Sequence, residues 1–269
     1  CRHPERCGHC PSVAKQWAYS KGMSSRSVFD KKMSLYKDAN ITFVGCSRWL
    51  SGRAKKSYLL RGKAVLSIPN PIDTKVYHPM DQGMARELLG LPSGKRLLLF
   101  GALNVTDKRK GIDYLIEALR RMEKQDVELV VFGQVKDDIR GLFPVPIHSM
   151  GYLSDESKIV ALYNAVDMFI TSSLEENLPN TIMESMACGT PCVGFEIGGI
   201  PEMIDHRVNG YVANYKDAGD LANGIQWVLE HEDRLALSDA CVKKVQENYT
   251  EEVVAKQYTA LYEKLLKGE

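Results

Sequence analysis

No stretch of this sequence approaches the roughly 20 consecutive apolar residues that a membrane-spanning helix needs, and none reads as a secretory signal. Global charge is missing too: 35 Lys and Arg stand against 34 Asp and Glu, a net of +1. That balance argues against nucleic acid as a partner. The seven cysteines are odd in number and scattered after Cys10, so they form no disulfide framework and point to a reducing compartment. Internal repeats and low-complexity tracts are absent, and there is no Asp-x-Asp anywhere in the chain. No Met precedes Cys1, which reads as a fragment, and the expected location is the cytoplasm.

One absence is local. Between Ala39 and Ile72 there is no acid, yet Arg48, Arg53, Lys55, Lys56, Arg61 and Lys63 all fall there. Such a run is either a solvated helix face or a surface drawn to anions, such as the inner leaflet of the plasma membrane or a lipid-linked pyrophosphate. The densest candidate ligand cluster lies further upstream. Cys7 and Cys10 have zinc-knuckle spacing with Cys1, His3 and His9 nearby, but no second half-site follows, so an exposed stub is the competing reading.

What is present is ordinary globular material, 44% hydrophobic and 26% charged over 269 residues, enough for one domain or one and a half. A polar helix is expected over 25–37, a strand over 41–45, a helix capped by Ser47 running to about Leu60, and a strand over 64–68. Turn-forming residues at 68–73 mark a boundary near 70. Strands then alternate with amphipathic helices: strands at 97–101, 127–133, 147–151, 166–171, 192–196 and 211–213. Helices are expected at 111–124 and 155–164, and from Ile200, Asp217, Arg234 and Thr250. The last has an apolar face of Val253, Val254, Tyr258, Leu261, Tyr262 and Leu265. This order of elements predicts an α/β fold, a doubly wound parallel sheet.

The stretch 172–191 organises the rest. Pro179 and Asn180 open a helix, Gly189 closes it and Pro191 prevents its continuation. Glu176 then lies on the loop and Glu184 in the first helical turn, at the carboxyl edge of the sheet where ligands bind. Ile182, Met183, Met186 and Ala187 supply the buried side. A plainer account also fits: Thr181 and Glu184 have capping-box spacing, and Glu176 is an ordinary loop charge. Two further loops carry chemistry. Lys108, Arg109 and Lys110 precede a helix start, which suits a diphosphate. Gly198 and Gly199 permit close backbone approach, and free amides there would bind phosphate.

Glu176, seven residues, Glu184 and then Ser-Met-Ala-Cys-Gly-Thr-Pro closely resembles the donor-sugar signature of retaining glycosyltransferases of the GT-B fold (family four, group 1 type). Gly-Gly-Ile-Pro-Glu at 198–202 is that family's companion motif, and the residues at 68–73 resemble its interdomain link, with Pro71 replacing Gly. The resemblance covers about 41–267. It implies a Rossmann-like donor domain over 71–249, a remnant of the amino-terminal acceptor domain over 1–70, and a crossover helix over 250–269. It assigns Glu176 to the donor sugar and Glu184 to the ribose hydroxyls, a task suited to a carboxylate. Lys110 matches the family's diphosphate lysine. The family's arginine position is Ala102 here, so Arg109 or Lys108 is the substitute. Asn180 and Thr181 would line the substrate site. The implied reaction takes a sugar from a nucleoside diphosphate sugar to a saccharide or lipid-linked hydroxyl with retention, in polysaccharide or glycolipid synthesis, with no cofactor and no metal. A fragment that binds donor without turnover, a non-catalytic nucleotide-binding module and a sugar-nucleotide epimerase of the same fold are the alternatives.

Overall fold

Runs of Leu, Val and Phe that are buried on both faces, separated by amphipathic segments, build the larger part of the chain. The computed structural model describes residues 25–104, 107–122, 126–134 and 140–268. The chain divides between Ile68 and Pro69 into two compact units.

In the first unit, α1 (Ser25–Lys37) is followed by β1 (Thr42–Gly45), α2 (Arg48–Lys55) and β2 (Ala64–Ser67). The two strands pair in parallel. Ser47 caps α2 by accepting from the Leu50 amide at 2.9 Å, as expected, but the helix stops at Lys55 rather than near Leu60. The chain instead makes a 3-10 turn at Tyr58–Leu60, which lays Tyr58 within 6.1 Å of the Phe29 ring. Of the six bases, Arg48, Arg53, Lys55, Lys56 and Arg61 are exposed. Lys63 turns back to donate to the carbonyls of Lys37 and Ala39.

The second unit begins with α3 (Gln82–Leu89), which the sequence reading missed although Asp81 caps it and Gly90 ends it. Its inward face is unusual, because the buried residues are Ala85 and Arg86 while Met84 and Leu88 are exposed. Then come β3 (Arg96–Asn104), α4 (Ile112–Arg121), β4 (Val127–Gln134), β5 (Ile147–Gly151), α5 (Glu156–Ala165) and β6 (Met168–Thr171). The chain continues through α6 (Asn180–Ala187), β7 (Cys192–Phe195), α7 (Ile200–Met203), β8 (Gly210–Ala213), α8 (Ala218–Leu229), α9 (Arg234–Asn248) and α10 (Glu251–Leu266). Residues 123–125, in the expected end of α4, lie outside the described residues.

The six strands β3–β8 form one parallel sheet in the order β5-β4-β3-β6-β7-β8. Side chains alternate across it. Leu98, Phe100, Met168, Ile170, Val193 and Phe195 share a core with residues of α4 and α8. Leu97, Leu99 and Phe169, just as buried, serve the opposite layer, where Tyr163 of α5 meets Phe169 edge-on. This is the doubly wound, Rossmann-like α/β arrangement. Along α10 only Val254 and Leu261 are buried; Tyr262 and Leu265, expected on the apolar face, are exposed. Among the described residues no helix is long and apolar enough to cross a membrane.

Candidate functional site

The strand order reverses between β3 and β6, so the chain leaves these neighbours in opposite lateral directions and opens a crevice at their carboxyl ends. The loops after β3, β6 and β7 meet there and are fastened to each other through their backbones. The Leu174 amide donates to the Arg109 carbonyl at 2.7 Å, and Ser172 Oγ donates to the Lys110 carbonyl at 2.9 Å. Gly111 has φ 63°, and a Cβ there would lie 2.0 Å from the Ser172 carbonyl oxygen, so only glycine allows this approach. Gly198 repeats the device on the other side: φ is 60° and a Cβ would sit 2.2 Å from the Glu176 carbonyl oxygen.

Lys108, Arg109 and Lys110 form a 3-10 turn capped by Asp107, and their roles separate. Arg109 is committed to Asp107, with its Nε 3.2 and 3.1 Å and its Nη2 2.6 Å from the carboxylate oxygens. Those bonds hold the Asp107 carboxyl down at about 2. Lys108 is exposed. Lys110 reaches across to Glu176, Nζ to Oε1 at 2.5 Å, with side-chain exposures of 33% and 15%. Glu176 is therefore no free loop charge. It is half-buried beside a lysine ammonium.

Glu184 occupies the fifth position of α6, the second turn rather than the first. It does not close a capping box, because Pro179 is the N-cap and no side chain caps the helix. Its Oε2 instead accepts from the hydroxyl of Tyr163 at 2.8 Å. Burial raises the carboxyl above its ordinary range, the Tyr163 bond opposes that, and the charge of Glu156 adds to it. Asn180, exposed, and Thr181, half-buried, stand at the open start of α6, where first-turn amides lack helical acceptors.

At the glycine pair the expectation needs correcting. The Gly199 amide is not free: it donates to the Asn177 carbonyl at 2.5 Å, so the pair ties the β7 loop to the Glu176 loop and leaves at most Gly198 to approach an anion. Sequence reasoning also missed three tyrosines. Tyr163 donates to Glu184, Tyr77 lies near enough to feel the Glu184 charge, and Tyr215 donates to the Leu174 carbonyl at 3.1 Å. Nothing in their spacing singles them out, because they come from a helix and two loops far from the motif. The candidate zinc residues Cys1, His3, Cys7, His9 and Cys10 lie outside the described residues. Among the described residues no group of three His, Cys, Asp or Glu is placed to hold a metal ion. Cys188, Cys192 and Cys241 are buried free thiols, and burial pushes the first two up to about 12.

With this geometry in view, the relatives are informative. Residues 94–231, just over half of the chain, match the family Glycosyl transferases group 1. The chain is 24% identical over 213 residues to N-acetyl-alpha-D-glucosaminyl L-malate synthase of Bacillus anthracis, covering 77% of this chain and 55% of that protein. Among solved structures it resembles sucrose-phosphate synthase from Thermosynechococcus elongatus, with TM-score 0.74, 22% identity and coverage of 96% and 66% of the two chains. It also resembles Anabaena HepE in complex with UDP-glucose, with TM-score 0.69, 20% identity and coverage of 86% and 66%. The chain spans about half the length of the curated relatives it matches. On the family match and the parallel-sheet architecture together, this chain belongs to the group 1 glycosyl transferases, built on the Rossmann-like half of the GT-B fold.

Proposed function

We propose that the chain binds a nucleoside diphosphate sugar at the crevice between β3 and β6 and takes part in transfer of that sugar to a hydroxyl acceptor. The observation that carries this reading is the contact of Lys110 with Glu176 at the head of the sheet. It places a cation and a carboxylate side by side where a diphosphate and the sugar attached to it would also be neighbours. Lys110 would meet the negative charge that builds on the departing diphosphate, where a fixed cation in a partly dry site acts strongly. Glu176 would accept hydrogen bonds from sugar hydroxyls and Glu184 from the ribose, each through an oxygen that takes no hydrogen bond from the described residues. Arg109 is held by Asp107, so Lys110 carries the diphosphate in this reading. Retention of the anomeric configuration is carried by the family resemblance alone. HepE, solved with UDP and UDP-glucose, makes uridine diphosphate the natural first probe.

The test is calorimetric titration with uridine diphosphate and UDP-glucose, with and without chelator. Binding that persists with chelator is expected, because Lys110 supplies charge that a metal would otherwise bring. Binding abolished by chelator would overturn the metal-free site, and no binding of any nucleoside diphosphate would overturn the whole reading.

A further inference from the structure

Glu184 is gripped on one side only. Tyr163 donates to Oε2 at 2.8 Å, while Oε1 takes no hydrogen bond from the described residues. The phenol cannot swing. It is fully buried, edge-on to Phe132 and Phe169 with ring centroids 6.2 and 6.0 Å away, and its own carbonyl accepts from Thr190 Oγ1 at 2.7 Å. A buried tyrosine hydroxyl needs a partner, and here the partner is a carboxylate at the candidate site.

We propose that Tyr163 is the positioning residue for Glu184, fixing which carboxylate oxygen faces the nucleotide and extending nucleotide binding to lower pH. The proposal rests on the assignment of Glu184 to the ribose.

The groups that face the carboxylate decide the sign. Glu156, at the start of α5, repels it. Tyr77, Tyr163 and Cys188 also face it, but burial pushes all three upward, so they stay neutral near neutral pH. No cation among the described residues offsets them. Only the Tyr163 hydroxyl favours the ionised form, since a donor to a carboxylate stabilises its charge. Removing that donor lets Glu184 take up its proton at higher pH.

The experiment is calorimetry with uridine diphosphate between about pH 5 and about pH 8 on the wild-type chain, Tyr163→Phe, Glu156→Gln and Glu184→Gln, with circular dichroism to verify the folds. The wild-type chain should bind at neutral pH and weaken on acidification. Tyr163→Phe should bind about tenfold more weakly at neutral pH, the scale of one hydrogen bond to a charged group, and its decline should begin at higher pH. Glu156→Gln, an exposed change that leaves Tyr163 untouched, should move the decline to lower pH. Glu184→Gln should keep only the pH dependence of the probe's own terminal phosphate, which ionises at about pH 6, and lose the part that responds to Tyr163 and Glu156. Tyr163→Phe with the affinity and profile of the wild type overturns the positioning role alone. An unmoved profile in Glu156→Gln overturns Glu184 as the group that sets it. A wild-type chain that binds no nucleotide, or Glu184→Gln that binds as the wild type does, overturns the ribose assignment and this proposal with it.

Discussion

At the amino ends of β3 and β6, the carboxylate of Asp167 is almost fully enclosed, accepts three hydrogen bonds and has a further ion pair with Arg96. The Leu97 amide and Arg86 Nη2 reach Oδ2 at 2.7 and 3.1 Å. Arg234 Nη2 and Arg96 Nη1 reach Oδ1 at 2.5 and 3.5 Å. At the carboxyl ends of the same strands, Glu176 and Glu184 have one hydrogen-bond partner each among the described residues, Lys110 and Tyr163. Both ends carry half-buried or buried charge, yet among the described residues it is the carboxylates at the carboxyl ends that keep unused acceptors. The saturated end even has a cavity of about 250 Å³ beside Asp167, lined by Gln82, Asn164, Thr190 and Arg234. Most of its polar lining is engaged: Asn164 holds Met80, His78 and Val160, Gln82 holds Val166 and Thr190 holds Tyr163. Unfilled acceptors rather than empty volume separate the end proposed to bind from the structural one.

The sharpest way to break this comparison is to cut the saturated end. Arg86 is 5% exposed and donates to the carbonyls of Ala165, Pro92, Ser93 and Lys95 as well as to Asp167. Arg86→Met leaves those acceptors and part of a buried carboxylate unpaired. A loss of about 3–5 kcal/mol in urea unfolding is expected, with unchanged uridine diphosphate affinity for the molecules that remain folded. A loss below about 1 kcal/mol would mean that the amino end does not need its full set of donors.

The opposite end should respond the other way. Glu184→Gln is expected to lower uridine diphosphate affinity by about 1.5–3 kcal/mol, the range for a hydrogen bond to a charged group. It should not cost stability. The folded-state carboxyl is raised, so whatever Glu184 contributes to stability is present in acid and lost as pH rises through its folded value. Once pH has risen through that value, the ionised side chain burdens the fold and the neutral amide relieves it. Thermal melts should show the variant at least as stable as the wild type at neutral pH, with any advantage gone in acid. A clear loss of melting temperature at neutral pH would put Glu184 among the structural groups instead.

Most of the alternation of strands and helices was legible because each strand is a short apolar run bounded by turn residues, and several helices carry a readable cap. Asp155, Asp217 and Thr250 each accept from amides in the first turn of their helices. Helix α3 was not legible, because its buried face is an alanine and an arginine, and the arginine finds its acceptors in the turn before β3 and, far along the chain, before β6. The end of α2 was lost for a similar reason: Tyr58 is drawn to Phe29, a contact set by packing and not by local propensity. At the site, Lys110, Glu176 and Glu184 could be named from their motif. That Arg109 is tied to Asp107, that Gly199 spends its amide on Asn177, and that Tyr163 holds Glu184 all depend on which loops are brought together, and no spacing encodes that.

The smallest effect tests the finest part of the comparison, the Lys110–Glu176 pair. Both side chains keep some exposure, 33% and 15%, and a pair of this kind contributes about 0–1 kcal/mol to stability. In the free chain the two charges satisfy each other. A diphosphate entering the crevice would compete with Glu176 for the ammonium, and a carboxylate so released would be free to accept sugar hydroxyls. Glu176→Gln removes the competitor but keeps an acceptor of similar shape. Bare uridine diphosphate should then bind as well as before, or more tightly by no more than about 1 kcal/mol. UDP-glucose should lose the advantage it holds over the bare nucleotide in the wild-type chain. Parallel titrations of both ligands separate the two possibilities. Weaker binding of bare uridine diphosphate in the variant would show that Glu176 holds Lys110 in place for the diphosphate, and the exchange of partners would have to be abandoned.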